Sequence, residues 1–351
     1  MSSDKIFISI ASYRDSETQW TVRSAMNRAK NPHRIVFGIC WQYDAENDPH
    51  LSGHMPKEMF HGQIRQIFLK HTDAGGPGFA RYLIQDQLYR GERFYLQIDS
   101  HTMFRENFDE DLISEWNAAK RISPKPIISS YPHGYNGLGE QSQRQADAVF
   151  NQNPGPIRLE PLEFNETDGL LRIVGRPLTL SDCATEPIRH NFWAAGFSFS
   201  EGTIVQDCPY DPSLFGLFFG EESLMAARLY TSGYDFFVPL KTLLLTKWSR
   251  SYRPTFREIT NTPARGRRTA IAKFRLLTIL GCPSTSVTID DLPEVTRDIK
   301  KYGLGKERSL REYEEAAGVK FATRSILIAQ SPEMIPANVS ELIGKHLGLS
   351  L

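Results

Sequence analysis

The chain has 351 residues, 40% of them hydrophobic and 11% aromatic, enough to bury a large core in one big domain or two smaller ones. Forty-one basic residues balance 41 acidic ones, which excludes a global field that would draw in nucleic acid or an anionic membrane surface. Any charged ligand is therefore met by local groups. The start, MSSDKIFISIASYRD, has no basic-then-apolar leader pattern, and no apolar run is long enough to span a bilayer. The expectation is a cytoplasmic protein without a transmembrane segment. Cys40, Cys183, Cys208 and Cys282 lie far apart with no CxxC spacing, so reduced, mostly buried thiols are expected.

In chain order, KIFISIASY reads as a strand, TQWTVRSAMNRA as a helix, RIVFGICWQ and RQIFLKH as strands, GFARYLIQDQLY as a helix and RFYLQID as a strand. This alternation predicts βαβ units, a mostly parallel sheet, and ligands at the carboxyl ends of its strands. PIISSYP continues the sheet. The Gly-, Gln-, Asn- and Pro-rich stretch from His133 to Pro156 reads as a mobile loop. PIRLEPLEFNETDGLLRIVGRPL then predicts a hairpin around 165–169. FWAAGFSFSEG alternates as a strand, and SLMAARLYTSGYDFFVP predicts a helix closed by Gly233 and followed by a strand. Beyond Tyr252 the texture becomes helical: the basic TPARGRRTAIAKFRLLTIL, the acidic-start TIDDLPEVTRDIKKYG, then REYEEAAGV. The resulting division is a catalytic α/β unit over 1–252 with a helical extension over 253–351 packed on it.

Two strand ends carry unusual chemistry. In YLQIDSH, Asp99 and His101 stand two apart, so in an extended segment both leave one face while Ser100 points the other way. A carboxylate and an imidazole aimed into one space suit a divalent cation of the Mn²⁺ type. Read alone, such a pair more often marks a solvated strand end. Ser12, Tyr13 and Arg14 end the first strand, offering an aromatic face to a base and polar groups to a ribose. Arg81, early in the helix after the GGPG turn, can reach a phosphate or a nucleoside.

Taken in order, SIASYRD, GPGFARYL, YLQIDSH with MFRENFDEDL, FWAAGFSFSEG, FFGEESLMAARLYTSGYDFFVP and the late YGLGKERSLREYEE resemble a family of N-acetylglucosaminyltransferases. Its type member is the enzyme that glycosylates hydroxyproline on a cytoplasmic ubiquitin-ligase subunit. The resemblance covers most of residues 5–255 and reaches into the tail. It implies a GT-A fold, Rossmann-like with a mostly parallel sheet flanked by helices, a UDP-sugar donor, Mn²⁺ or Mg²⁺, and transfer with retention of anomeric configuration. By the same resemblance Asp99 and His101 grip the metal bridging the donor phosphates, with Asp99 also touching the ribose. Ala11, Ser12, Tyr13, Arg14 and Arg81 line the uridine pocket, and Ser100 belongs to the donor site. Trp193 and Gly196 form the floor beneath the sugar. Glu221 and Glu222 face the sugar hydroxyls and the acceptor, although helix neighbours diverge by roughly a hundred degrees, so one of the two is expected in solvent.

One position departs from the pattern. Enzymes with a DxH pair often complete the metal shell with a histidine after the late strand, and this chain has Lys247 there in LLLTKWSRSY, with no histidine between His190 and His346. Water and donor phosphates complete the shell, or Lys247 itself offsets pyrophosphate charge; Arg250 is a second phosphate candidate. The acceptor is a glycan or a protein, and the arginines Arg265, Arg267 and Arg268 on the basic helix are expected mainly in solvent. A non-catalytic sugar-nucleotide binder, a transferase using another UDP-sugar to build a polysaccharide, and a nucleotidyltransferase are the competing classes; the last is disfavoured because the chain lacks a P-loop. Oligomeric state stays open.

Overall fold

The computed structural model describes residues 4–48, 51, 62–179, 186–259, 262–282 and 293–327. The chain begins with β1 (Ile6–Tyr13), α1 (Thr18–Arg28), β2 (Ile35–Tyr43), β3 (Ile64–Lys70), α2 (Pro77–Gln87) and β4 (Phe94–Asp99). It continues through β5 (Thr102–Phe104), α3 (Phe108–Lys120), β6 (Pro126–Ser129), β7 (His133–Gly134), α4 (Gln141–Phe150), β8 (Ile157–Phe164) and β9 (Leu171–Pro177). Then come β10 (Ile188–His190), β11 (Phe197–Glu201), α5 (Ile204–Asp207), α6 (Glu221–Thr231), β12 (Asp235–Val238) and β13 (Leu244–Thr246). The last elements are α7 (Pro263–Ile279), α8 (Pro293–Thr296), α9 (Ile299–Tyr302), α10 (Leu310–Ala317), β14 (Val319–Lys320) and β15 (Ser325–Ile326).

The main sheet has eight strands in the order β10-β12-β6-β11-β4-β1-β2-β3. β1 is parallel to both neighbours, β2 and β4, and β11 runs antiparallel between β4 and β6. β1 is apolar on both faces because helices cover both: Ile6, Ile8 and Ile10 pack with Val22 and Ala25 of α1 and Leu112 and Trp116 of α3. Phe7 stacks on Tyr95 beside Tyr89 and belongs to a second cluster, which also takes in Ala80 and Ile84 of α2, Leu224 of α6 and Leu276 of α7. Tyr313, Ala317, Val319 and Phe321 join that second cluster, so the tail shares the core of the sheet.

After β1 the chain winds to β2 on one side, and after α2 it returns to β4 on the other. The carboxyl ends of β1 and β4 thus flank a switch point, the place where open α/β sheets leave a crevice for ligands. Ala11 and Asp99 are register partners there. A smaller sheet, β5-β13-β7, stands over this edge, with Thr246 opposite Thr102.

The strands and helices expected up to β4 are all present, as is the hairpin, formed by β8 and β9. The stretch from His133 to Pro156 is not a loop: it holds β7 and the ten-residue helix α4, whose Ala146 and Phe150 are buried against Met103, Tyr135 and Leu245. Gly137 and Gly139 break the pattern only before that helix; the apolar spacing of Ala146, Val149 and Phe150 carries the helical signal. The acidic-start helix is also revised, since part of it lies outside the described residues and the rest divides into α8 and α9 at Asp298, which has a left-handed φ of 50°. Cys40, Cys208 and Cys282 are free and buried; Cys183 lies outside the described residues.

One buried ion pair ties the tail to the rest. Arg275 of α7 donates to Asp211 Oδ2 at 2.6 Å and to the Val295 carbonyl at 2.8 Å, and both charged side chains are fully buried. Removing one member leaves the other charge buried and alone. Asp211→Ala is therefore expected to destabilise the protein by about 3–5 kcal/mol, measured as a urea-midpoint shift at unchanged slope; a loss below about 1 kcal/mol would show the pair to be dispensable.

Candidate active site

The peptide after β4 turns from the main sheet into the small one across Ser100 and His101. That turn, rather than a straight strand, aims the Asp99 and His101 side chains at a common point: His101 Nε2 lies 3.8 Å from Asp99 Oδ2. Asp15, the residue after the β1 segment singled out above, fixes the imidazole. Its Oδ2 accepts from His101 Nδ1 at 2.8 Å and from Ser100 Oγ at 2.5 Å, while Oδ1 accepts from Tyr252 Oη at 2.9 Å. Arg253 Nε is 3.1 Å from Asp15 Oδ2. Burial works to raise the Asp15 pKa, but the Arg253 charge and the His101 and Ser100 bonds outweigh it and hold the carboxyl far below the usual range.

His101 is 2% exposed, and burial together with the Arg250 charge pushes its pKa down to about 4. At neutral pH the ring carries one proton, and the carboxylate of Asp15 draws it to Nδ1. Nε2 is left with its lone pair toward Asp99. This is the arrangement that metal-binding imidazoles adopt, with a carboxylate behind the ring fixing the tautomer. Asp99 keeps 24% of its side chain open to solvent. Against the effect of burial, the charges of His101, Arg250 and Arg81 hold its carboxyl below the ordinary value. The donor set suits a divalent cation as a two-residue chelate; no cluster of three or more His, Cys, Asp or Glu with a metal-binding arrangement is found among the described residues.

Cations crowd the same point. The Arg250 guanidinium lies against His101 Nε2 and 3.8 Å from Asp99 Oδ2. Lys247 continues the β13–β5 pairing, its backbone N–H donating to the His101 carbonyl at 3.0 Å. Its side chain is 7% exposed, with Nζ over the rings of Tyr135 (5.9 Å) and Tyr252 (5.5 Å). A unit charge at contact distance is worth about 4 kcal/mol at an effective dielectric of 20. Arg250 is thus a major contributor to the field at Asp99 and His101.

Opposite stand the two glutamates. Both face inward, which corrects the expectation that one is solvated: they occupy the first turn of α6, and the helix meets the cleft end-on, so neighbours that diverge around its axis still reach the site. Glu221 Oε1 accepts from Arg81 Nη1 at 2.5 Å and from Tyr210 Oη at 2.7 Å. Glu222 accepts from the Ala195 N–H at 2.8 Å and from Tyr131 Oη. Burial pushes the Glu222 pKa up to about 7, with Glu221 and Asp99 adding to that and the Tyr131 and Ala195 bonds opposing it. Arg81, 3% exposed, bridges the two halves, its Nη2 lying 3.4 Å from Asp99 Oδ1. It therefore sits between the two acids, Asp99 and Glu221. A side chain at Gly196 would place its Cβ 3.0 Å from Asp99 Oδ2, so glycine keeps this floor open.

The remaining candidates divide. Tyr13 donates to Glu258 at 2.7 Å and Arg14 pairs with Asp48 at 2.8 Å and with Glu258 at 2.9 Å. Together they form a polar corner beyond the β1 end, where Arg14 holds a left-handed φ of 46°. Ser12 is buried on Thr18 at 2.7 Å and Ala11 lies beside Asp99, so both shape the edge. Trp193 is 2% exposed, its indole N–H on Ser198 Oγ at 2.8 Å, inside the core cluster. Asp15, Tyr131, Tyr210, Tyr252, Arg253 and Glu258 were not singled out from the sequence. Asp15 and Tyr252 are the last residues of two quoted segments, SIASYRD and LLLTKWSRSY, Arg253 follows the second and Tyr131 lies in PIISSYP; Tyr210 and Glu258 have no local signature.

Comparison with known proteins identifies the family and the fold. The family model described as Glycosyltransferase (GlcNAc) matches residues 5–58 and 52–323. The solved structure of GalNAc-T7 with UDP, GalNAc and Mn²⁺ superposes with a TM-score of 0.55 at 14% identity, over 98% of this chain and 58% of that one. The chain thus spans little more than half the length of that structure. Mannosyltransferase PcManGT from Pyrobaculum calidifontis, in complex with GDP-Man and Mn²⁺, aligns with a TM-score of 0.41 at 8% identity, over 83% of this chain and 77% of that one. No curated protein matches the chain. No described helix is long and apolar enough to cross a membrane. The fold is of the GT-A type, and the chain belongs to the Glycosyltransferase (GlcNAc) family.

Proposed function

We propose that this protein is a retaining glycosyltransferase that moves a sugar, N-acetylglucosamine, from a UDP-sugar to a hydroxyl on a glycan or protein acceptor. The observation that carries the reading is the chelating pair Asp99 and His101, with the His101 ring locked by Asp15, facing the Glu221–Glu222 pair across an open glycine floor. Asp99 and His101 would hold Mn²⁺ or Mg²⁺, which when bound supplies Lewis-acid neutralisation of charge on the departing diphosphate.

The chain's own groups complete the chemistry. Arg250 and Lys247 add positive charge beside the diphosphate position, where a helix terminus alone would contribute roughly 1 kcal/mol or less. Tyr13 and Arg14 form the nucleoside corner. Glu221 and Glu222 are held by fixed donors, so their free lone pairs accept from sugar hydroxyls and steady a ring that becomes cation-like as the anomeric bond breaks. Retention then follows from acceptor attack on the leaving-group face, with a donor phosphate oxygen taking the acceptor proton. The donor sugar is tested by a thermal-shift panel of UDP-sugars with and without Mn²⁺, and the stereochemistry by NMR of the first-formed anomer; an inverted product would overturn retention.

Asp99→Asn is expected to cut turnover by about a hundredfold to a thousandfold while the melting temperature stays within a few degrees. Retention of more than a tenth of wild-type turnover by that variant would sink the assignment. The Glu222 carboxylate accepts two bonds only when ionised, so turnover is expected to rise as pH passes through about 7. In Glu222→Gln that limb of the pH profile should vanish and the residual rate should be flat; an unchanged limb would remove Glu222 from the reacting complex.

A further inference from the structure

The Arg250 guanidinium stands in a place that conflicts with a divalent cation. One of its nitrogens lies against the His101 Nε2 lone pair, the other 3.8 Å from Asp99 Oδ2, and these are the two atoms that would ligate the cation. Asp99 is also 3.4 Å from Arg81, so its single negative charge is already shared by two guanidiniums. Lys247, where a third ligand would be looked for, adds another positive charge, buried between two tyrosine rings. A dication brought to this point alone meets strong repulsion and must break the Arg250 contact with His101. A diphosphate removes both obstacles, because it offers Arg250 a dianionic partner and supplies the oxygens that the two-residue chelate lacks.

We propose that Arg250 is a resident cation: without donor it holds the position between His101 Nε2 and Asp99 Oδ2, and it yields that position to the divalent cation when a nucleoside diphosphate takes the guanidinium. The proposal rests on the donor and cation assigned above. The Arg250 side chain is 16% exposed, and it lies on the 247–253 segment, anchored at one end by the Lys247 N–H on the His101 carbonyl and at the other by Arg253 on the Tyr13 carbonyl at 2.7 Å. Cation and nucleotide binding are therefore tightly coupled, and each raises the affinity for the other by the same factor.

Mn²⁺ binding to the full chain is read directly by loss of the free-ion EPR signal, with and without UDP, so no turnover is needed. Wild type is expected to bind Mn²⁺ alone about a hundredfold more weakly than in the presence of UDP. Arg250→Ala should bind Mn²⁺ alone about tenfold more tightly than wild type while losing affinity for UDP. Arg250→Lys, with a compact ammonium, should retain more of the UDP affinity. Equal Mn²⁺ affinity with and without UDP in wild type, or unchanged Mn²⁺-alone affinity in Arg250→Ala that melts like wild type, would overturn the proposal and leave the enzyme reading intact. Absence of Mn²⁺ binding under every condition would overturn both. Asp99→Ala, expected to bind no Mn²⁺ with or without UDP, locates the signal; undiminished binding by it would overturn the chelate.

Discussion

The site depends on the bond between Asp15 and the His101 imidazole. Asp15 is fully buried, and an isolated carboxylate there would cost several kcal/mol. It is tolerated because five groups converge on it: the Glu17 N–H, His101 Nδ1, the Ser100 hydroxyl, the Tyr252 phenol and the Arg253 guanidinium. These come from the segment after β1, from the turn after β4 and from the segment after β13. One carboxylate therefore joins the three pieces of chain that build the site, and its negative charge decides which imidazole nitrogen keeps a lone pair.

Around this hub, charge is distributed along a line. Arg14, Asp48 and Glu258 form one closed group beyond the end of β1. Asp99, Arg250 and Arg81 form the middle, and Glu221 and Glu222 the far end. Arg81 links the last two: it is buried, but Glu221, Tyr210 and Asp99 keep it charged against the cost of desolvation. At about 4 kcal/mol per contact pair at an effective dielectric of 20, small displacements along this line are energetically large. The burial of Gln97 on the Ala195 carbonyl and Tyr210 holds the floor between the two acidic ends against such displacement.

Much of this was legible in the sequence because it is written in local pattern. The apolar runs of β1, β2 and β4 with amphipathic helices between them require a parallel sheet, and SYR and DSH fall where a switch point collects ligands. What local pattern does not contain is the partner across the sheet. Tyr131 is separated from Glu222 by 91 residues and Tyr252 from Asp15 by 237, distances that no periodicity records. The inward turn of both glutamates was likewise hidden, because a helical wheel describes the sides of a helix and α6 offers the cleft its end. In α4 the failure was of another kind: glycines and glutamines before it outweighed a short apolar stripe that becomes meaningful only when Met103, Tyr135 and Leu245 are there to receive it.

The small sheet explains why the DxH pair needs a bend rather than a strand. β4 belongs to the main sheet and β5, three residues later, to the other, so Ser100 and His101 form the crossing between them. β5 pairs with β13, and that pairing extends by one more bond, from Lys247 N–H to the His101 carbonyl. The residues after β13 are thereby led directly over the crossing, bringing Arg250, Tyr252 and Arg253 onto Asp99, His101 and Asp15. A lysine at position 247 suits that geometry: its backbone makes the bond that any residue would make, while its ammonium lies over the rings of Tyr135 and Tyr252. Lys247 thus keeps the architecture of the crossing through its backbone, while the contact with His101 is made by Arg250.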